Sequence, residues 1–156
     1  MDGKEDSLKR LFLVVCLLIC SGFLFSAHAE TQGPLGLGII VGDPYGITGK
    51  YWLNKTEAID AAIGFGNLSV QADYLWHKWD LFPRPSVGQI AGYCGLGLKI
   101  KDNDHDTEFG VLGPLGIAYE LPQHHIELFA ELVPVLDLAP DVELNLDGGI
   151  GIRYFF

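Results

Sequence analysis

From Gln32 onward, apolar and polar residues alternate with a period of two along almost the whole chain. Such alternation marks a β-strand whose two faces meet different surroundings. Eight stretches carry it: Leu35–Val41, Tyr45–Leu53, Ile59–Phe65, Leu68–His77, Gln89–Lys101, Thr107–Glu120, Ile126–Leu136 and Leu144–Phe156. Between them lie turn-forming residues: Gly42-Asp43-Pro44, Asn54-Lys55-Thr56-Glu57, Gly66-Asn67, Asp80 to Pro85, Asp102 to Asp106, Leu121-Pro122-Gln123-His124-His125, and Asp137 to Glu143. No stretch sustains a 3.6-residue apolar stripe, and the many glycines would weaken any helix. Short connections between successive strands predict an antiparallel meander. The predicted fold is all-β, an eight-stranded antiparallel up-and-down β-barrel, whose closure leaves no open edge.

The two faces differ sharply. Along the fourth stretch Leu68, Val70, Ala72, Tyr74 and Trp76 oppose Ser69, Gln71, Asp73, Leu75 and His77. Along the eighth, Leu144, Leu146, Gly148, Ile150, Ile152, Tyr154 and Phe156 oppose Asn145, Asp147, Gly149, Gly151, Arg153 and Phe155. A soluble barrel would turn the apolar set inward, and a membrane barrel would turn it to lipid. An eight-stranded lumen is just wide enough for side chains to fill. The apolar set, with Tyr45, Tyr51, Phe65, Tyr74, Trp76, Phe109, Tyr119, Tyr154 and Phe156, is too bulky for it. The polar set is rich in glycine (Gly36, Gly38, Gly46, Gly64, Gly95, Gly97, Gly110, Gly116, Gly149, Gly151), which leaves room inside a tight barrel. Aromatics near the strand ends suit an interfacial girdle. The pattern therefore predicts a transmembrane type of barrel. Lys50, Asp60, Asp73, His77, Lys99, Glu108, Glu120, Glu127, Glu131, Asp147 and Arg153 then point into the lumen.

Charges so placed must pair, be neutralised or be hydrated. Arg153 is expected to meet Glu127 or Glu131 from the preceding strand, with Lys50 and Lys99 neutralising acids elsewhere. Trp52, Leu75, Tyr93, Leu112 and Phe129 share the inward face and predict a filled interior rather than a wide pore.

The segment before the barrel has a different character. Lys4, Lys9 and Arg10 precede the apolar run Leu11 to Phe25, and Ala27-His28-Ala29 offers small residues at a signal-peptidase site. The run is shorter than the roughly 20 residues of a membrane-spanning helix. Residues 1–29 are read as a cleaved signal peptide and 30–156 as a single barrel domain. Ile19 before Cys20 argues against a lipoprotein. Cleavage would leave Cys94 alone, with no intramolecular disulfide. Three acids and three bases precede the cut, so the whole net charge of −10 lies after it. That balance argues against a nucleic-acid partner.

Candidate chemistry is sparse. Ser69, Asp73 and His77 are the residue types of acyl transfer, but four residues along a strand separate side chains by roughly 13 Å. His124-His125 sits in a turn with no ligand at useful spacing. Asp102 to Asp106 lacks the glycine and terminal glutamate of a calcium loop. No catalytic, cofactor or metal-binding residue is assigned.

Specific stretches carry a resemblance: Gly36 to Trp52, Ala72-Asp73-Tyr74-Leu75-Trp76-His77, Ala130 to Pro140, and the closing Gly149 to Phe156. Together they resemble a bacterial family of small, uncharacterised outer-membrane-type β-barrel proteins. The resemblance implies a bacterial outer-membrane location, contact with outer-membrane lipid, and assembly by the barrel-assembly machinery through the aromatic last strand. It transfers no activity. The expected role is structural or envelope-associated, with a polar, plugged interior. The alternatives are a lipid-modifying barrel enzyme and a soluble periplasmic barrel that binds a small apolar ligand.

Overall fold

The computed structural model describes residues 33–102 and 107–156. The predicted leader, residues 1–29, and all of the Asp102 to Asp106 loop after Asp102 lie outside the described residues. Nine strands form in chain order: β1 (Leu35–Asp43), β2 (Gly46–Trp52), β3 (Glu57–Gly64), β4 (Ser69–Lys78), β5 (Gln89–Asp102), β6 (Thr107–Leu112), β7 (Leu115–Leu121), β8 (Ile126–Ala139) and β9 (Glu143–Phe155). β6 and β7 are two halves of one stave. Every pairing is antiparallel, and β1 pairs with β9, so eight staves close into a barrel. A short 3₁₀ turn, Pro122–His124, joins β7 to β8.

Besides the run of β8 on to Ala139, past its predicted end at Leu136, the main departure from the predicted strands is the break at Gly113-Pro114. Sequence periodicity runs straight through it, but proline has no N–H to give to a ladder. The Gly113 N–H donates to the Pro134 carbonyl at 3.0 Å, and Pro134 cannot return the bond. On the other side the Gly95 N–H donates to the Pro114 carbonyl at 2.8 Å, and Pro114 cannot return that one either. The ladders on both sides thus lack one donor at this level, Pro114's towards β5 and Pro134's from β8.

Residues 79–88 form the longest described connection, and they do more than turn the chain. Trp79 swings into the barrel end with Trp52, Ala58, Ala91 and Phe155, and its indole N–H donates to the Lys55 carbonyl at 2.9 Å. Leu81 folds back onto the outer wall. It fits there because Gly92 has no side chain; a Cβ at Gly92 would lie 2.6 Å from Leu81.

Alternation decides which side each residue faces. The outer wall is apolar throughout, with Leu132, Leu146 and Ile150 each at least 60% exposed. Exposed Tyr45 and Phe65 mark one end of this wall, and Tyr51, Tyr154 and Phe156 mark the end that carries the termini. The interior holds buried Lys50, His77, Glu127 and Arg153. Glycine makes this packing possible at specific points. A Cβ at Gly36 would fall 2.7 Å from the Phe155 ring. Gly36→Ala is therefore expected to destabilise the barrel by about 1–3 kcal/mol through overpacking. Urea unfolding in detergent, followed by the folded band on a gel, measures this.

Candidate functional site

The strands bring the inward charges together in the middle of the barrel. Arg153 on β9 lies opposite Glu127 on β8 and opposite Gly38 on β1. Because Gly38 has no side chain, the guanidinium reaches across β1 to Thr48 on β2. Its Nη1 donates to Glu127 Oε1 at 2.7 Å. Its Nη2 donates to Asp60 Oδ2 at 2.5 Å and to Thr48 Oγ1 at 2.7 Å, and Nε reaches Thr48 Oγ1 at 3.2 Å. Thr48 in turn donates to Asp60 Oδ1 at 3.2 Å. The guanidinium carbon sits 3.8 Å from the Phe129 ring centre. Phe129 has room because Gly151 faces it across the ladder.

Lys50 takes the other oxygen of Glu127, at 2.7 Å, and lies 4.4 Å over the Trp52 ring. One carboxylate thus serves two cations, and one guanidinium serves two carboxylates. Such a network meets the cost of burying charge because each ion has a bonded partner of opposite sign. Glu131 instead accepts the Tyr93 hydroxyl at 2.8 Å.

Towards the end away from the termini, Leu112, Val133 and Val135 form an apolar cluster. Beyond it a polar cavity of about 290 Å³ opens, lined by Asp43, Lys99, Lys101, Glu108, Asp137 and Asp147. Lys99 is paired there with Asp147, and Asp43 lies 3.6 Å away. At the other end His77 is fully enclosed by aromatics, with its ring 4.5 Å from Trp52 and 5.1 Å from Tyr93.

Of the inward charges read from the sequence, Lys50, Asp60, Asp73, His77, Lys99, Glu120, Glu127, Glu131 and Arg153 are buried. Asp147 and Glu108 are half-buried at the polar mouth. Arg153 meets Glu127, one of its two expected partners, and not Glu131. Lys50 joins the same carboxylate instead of serving an acid elsewhere. The Asp60 bond from β3, the Thr48 hydroxyl and the inserted Trp79 were not anticipated. Trp79 lies two residues beyond the predicted strand end at His77, and its odd number continues the inward series Asp73, Leu75, His77.

Ser69, Asp73 and His77 remain spread along β4. His77 has no hydrogen-bond partner on either ring nitrogen among the described residues. Among the described residues no group of three or more His, Cys, Asp and Glu is placed to hold a metal ion. His124 and His125 stay in the turn after β7, and His125 stacks on Tyr154 at 6.0 Å between ring centres.

A crystal structure of the N-terminal β-barrel domain of Pseudomonas aeruginosa OprF is similar to this chain, with a TM-score of 0.53 and 16% identity. The match covers 81% of this chain and all of that one. At that identity the likeness concerns architecture, which is that of an outer-membrane-type β-barrel. No protein-family model and no curated protein matches the sequence.

Proposed function

We propose that the chain is a bacterial outer-membrane barrel, exported by a signal peptide over residues 1–29, with a structural or envelope-associated role and no enzymatic activity. The observation that carries this reading is the distribution of polarity. The outer wall is apolar from end to end, while the interior charges are largely engaged with one another. An exposed apolar surface of this extent would be a liability in water and suits acyl chains. A soluble ligand-binding barrel needs its apolar set inside, and here that set lies outside. The filled centre supports a plug rather than a pore. Its partners would be envelope lipid and, through the aromatic-rich β9, the machinery that inserts barrels.

Cell fractionation followed by gel migration before and after boiling tests the reading. Detergent-dependent extraction, slower migration after boiling and no steady conductance in planar bilayers are expected. A protein released without detergent and indifferent to boiling would overturn the membrane assignment. A steady conductance would overturn the plug. Turnover of labelled phospholipid or lipopolysaccharide by the purified barrel would favour the enzyme alternative.

A further inference from the structure

Asp73 stands apart from the other charges at the centre of the barrel. It is 5% exposed, and its Oδ1 accepts no hydrogen bond among the described residues. Directly across the ladder on β3 lies Asp60, which Arg153 and Thr48 already hold. Across on β5 lies Gly97, which offers no side chain. Glu131 of β8, which is bonded to Tyr93 of β5, and Arg153 of β9, whose donors go to Asp60, Glu127 and Thr48, act on it electrostatically without a bond to it. On its own strand the inward neighbours are Gln71 and Leu75. Lys50 of β2 is bonded to Glu127.

Three carboxyl groups therefore share this region, and the described residues supply Asp73 with no cation of its own. Like charges directly opposite in a ladder repel, and enclosure away from water raises the cost. Some positive charge must come from outside the chain. No group of three or more His, Cys, Asp and Glu is placed to hold a metal ion there among the described residues. Oδ1 leaves no room beside it either, since a Cβ at Gly97 would stand only 2.0 Å away and that oxygen lies against the wall.

The cation that needs no space is a proton. We propose that Asp73 is held as the neutral carboxylic acid, a single-proton site at the centre of the barrel. The proton is taken from water as the barrel closes and adds to one carboxylate oxygen. It makes Asp73 a donor facing carboxylates rather than a third negative charge. The inference needs only the closed interior and not the membrane location, so the two stand or fall separately.

The test is infrared spectroscopy of the whole barrel refolded in detergent at neutral pH. The protein should show a carboxylic-acid carbonyl band that shifts when aspartate is ¹³C-labelled, and Asp73→Asn should remove that component. The same variant should change the unfolding equilibrium constant by less than about tenfold, since an amide replaces a neutral acid of the same shape. If Asp73 were an ionised partner of Arg153, the loss would exceed about 100-fold. The proposal is overturned by the absence of an acid band, by a band that responds only to ¹³C-glutamate, or by that larger loss. Should Asp73→Asn fail to fold, labelled wild-type protein decides the question alone.

Discussion

Arg153→Met is expected to destabilise the barrel by about 3–5 kcal/mol, the cost of leaving buried carboxylates without their cation. Among the described residues the guanidinium is the only group that touches both Asp60 and Glu127, at 2.5 and 2.7 Å. Its removal leaves Asp60 with no ion pair and only the neutral Thr48 hydroxyl as a bonded donor. Glu127 keeps Lys50, so part of the loss is contained. Adding Asp60→Asn to Arg153→Met should recover much of the stability, since the orphaned charge and not the missing contact dominates. Arg153→Lys should fall between the two, because an ammonium cannot present a planar fork to both acids and Thr48 at once. Lys99→Met is the control. Lys99 is itself buried, but its partners Asp147 and Asp43 line the polar cavity at the mouth, Asp43 about half exposed, so a smaller loss of about 1–2 kcal/mol is expected. Urea titrations monitored by gel mobility measure all four. A loss for Arg153→Met no larger than that for Lys99→Met would show the central network to be incidental.

The staves and their faces were legible because both are local. A period of two assigns each side chain to a side, and glycine, proline and aspartate mark the ends. The partners of Arg153 were legible only in part for the same reason. Glu127 is on the adjoining strand of a hairpin, within reach of simple register arguments. Asp60 lies three staves away around the barrel, and its height relative to Arg153 depends on the stagger of the closed sheet, which periodicity does not encode. The glycines explain why that distance can be crossed, since Gly38 leaves an open path over β1. Their pattern on the inward face was visible, but which neighbour each one made room for was not. The break at Gly113-Pro114 had a signal in the proline itself, since a proline inside a strand costs a ladder bond. A stave that reads as one apolar-polar series nevertheless splits there. The folding of Leu81 onto Gly92 left no trace in the alternation, as both residues belong to segments whose contact is purely tertiary.

Ile150→Arg separates the two environments that the outer wall could face. Ile150 lies mid-strand on β9, between Ala130 of β8 and Val41 of β1, with its side chain 63% exposed. Against water, so exposed a position should tolerate the change within about 0.5 kcal/mol. At the middle of a bilayer the same arginine should cost about 2–4 kcal/mol. The packing that is lost is similar in both cases, so the difference reports the surroundings. Leu144→Arg, at the rim end of the same strand, sharpens the contrast, because the cost in lipid falls to about 0–1 kcal/mol near an interface. A depth-dependent penalty across these two positions, read by urea titration in lipid vesicles, is what a lipid-facing wall requires. Equal small penalties at both positions would mean that the wall is wet. The apolar outer surface would then need a protein or a second barrel to cover it.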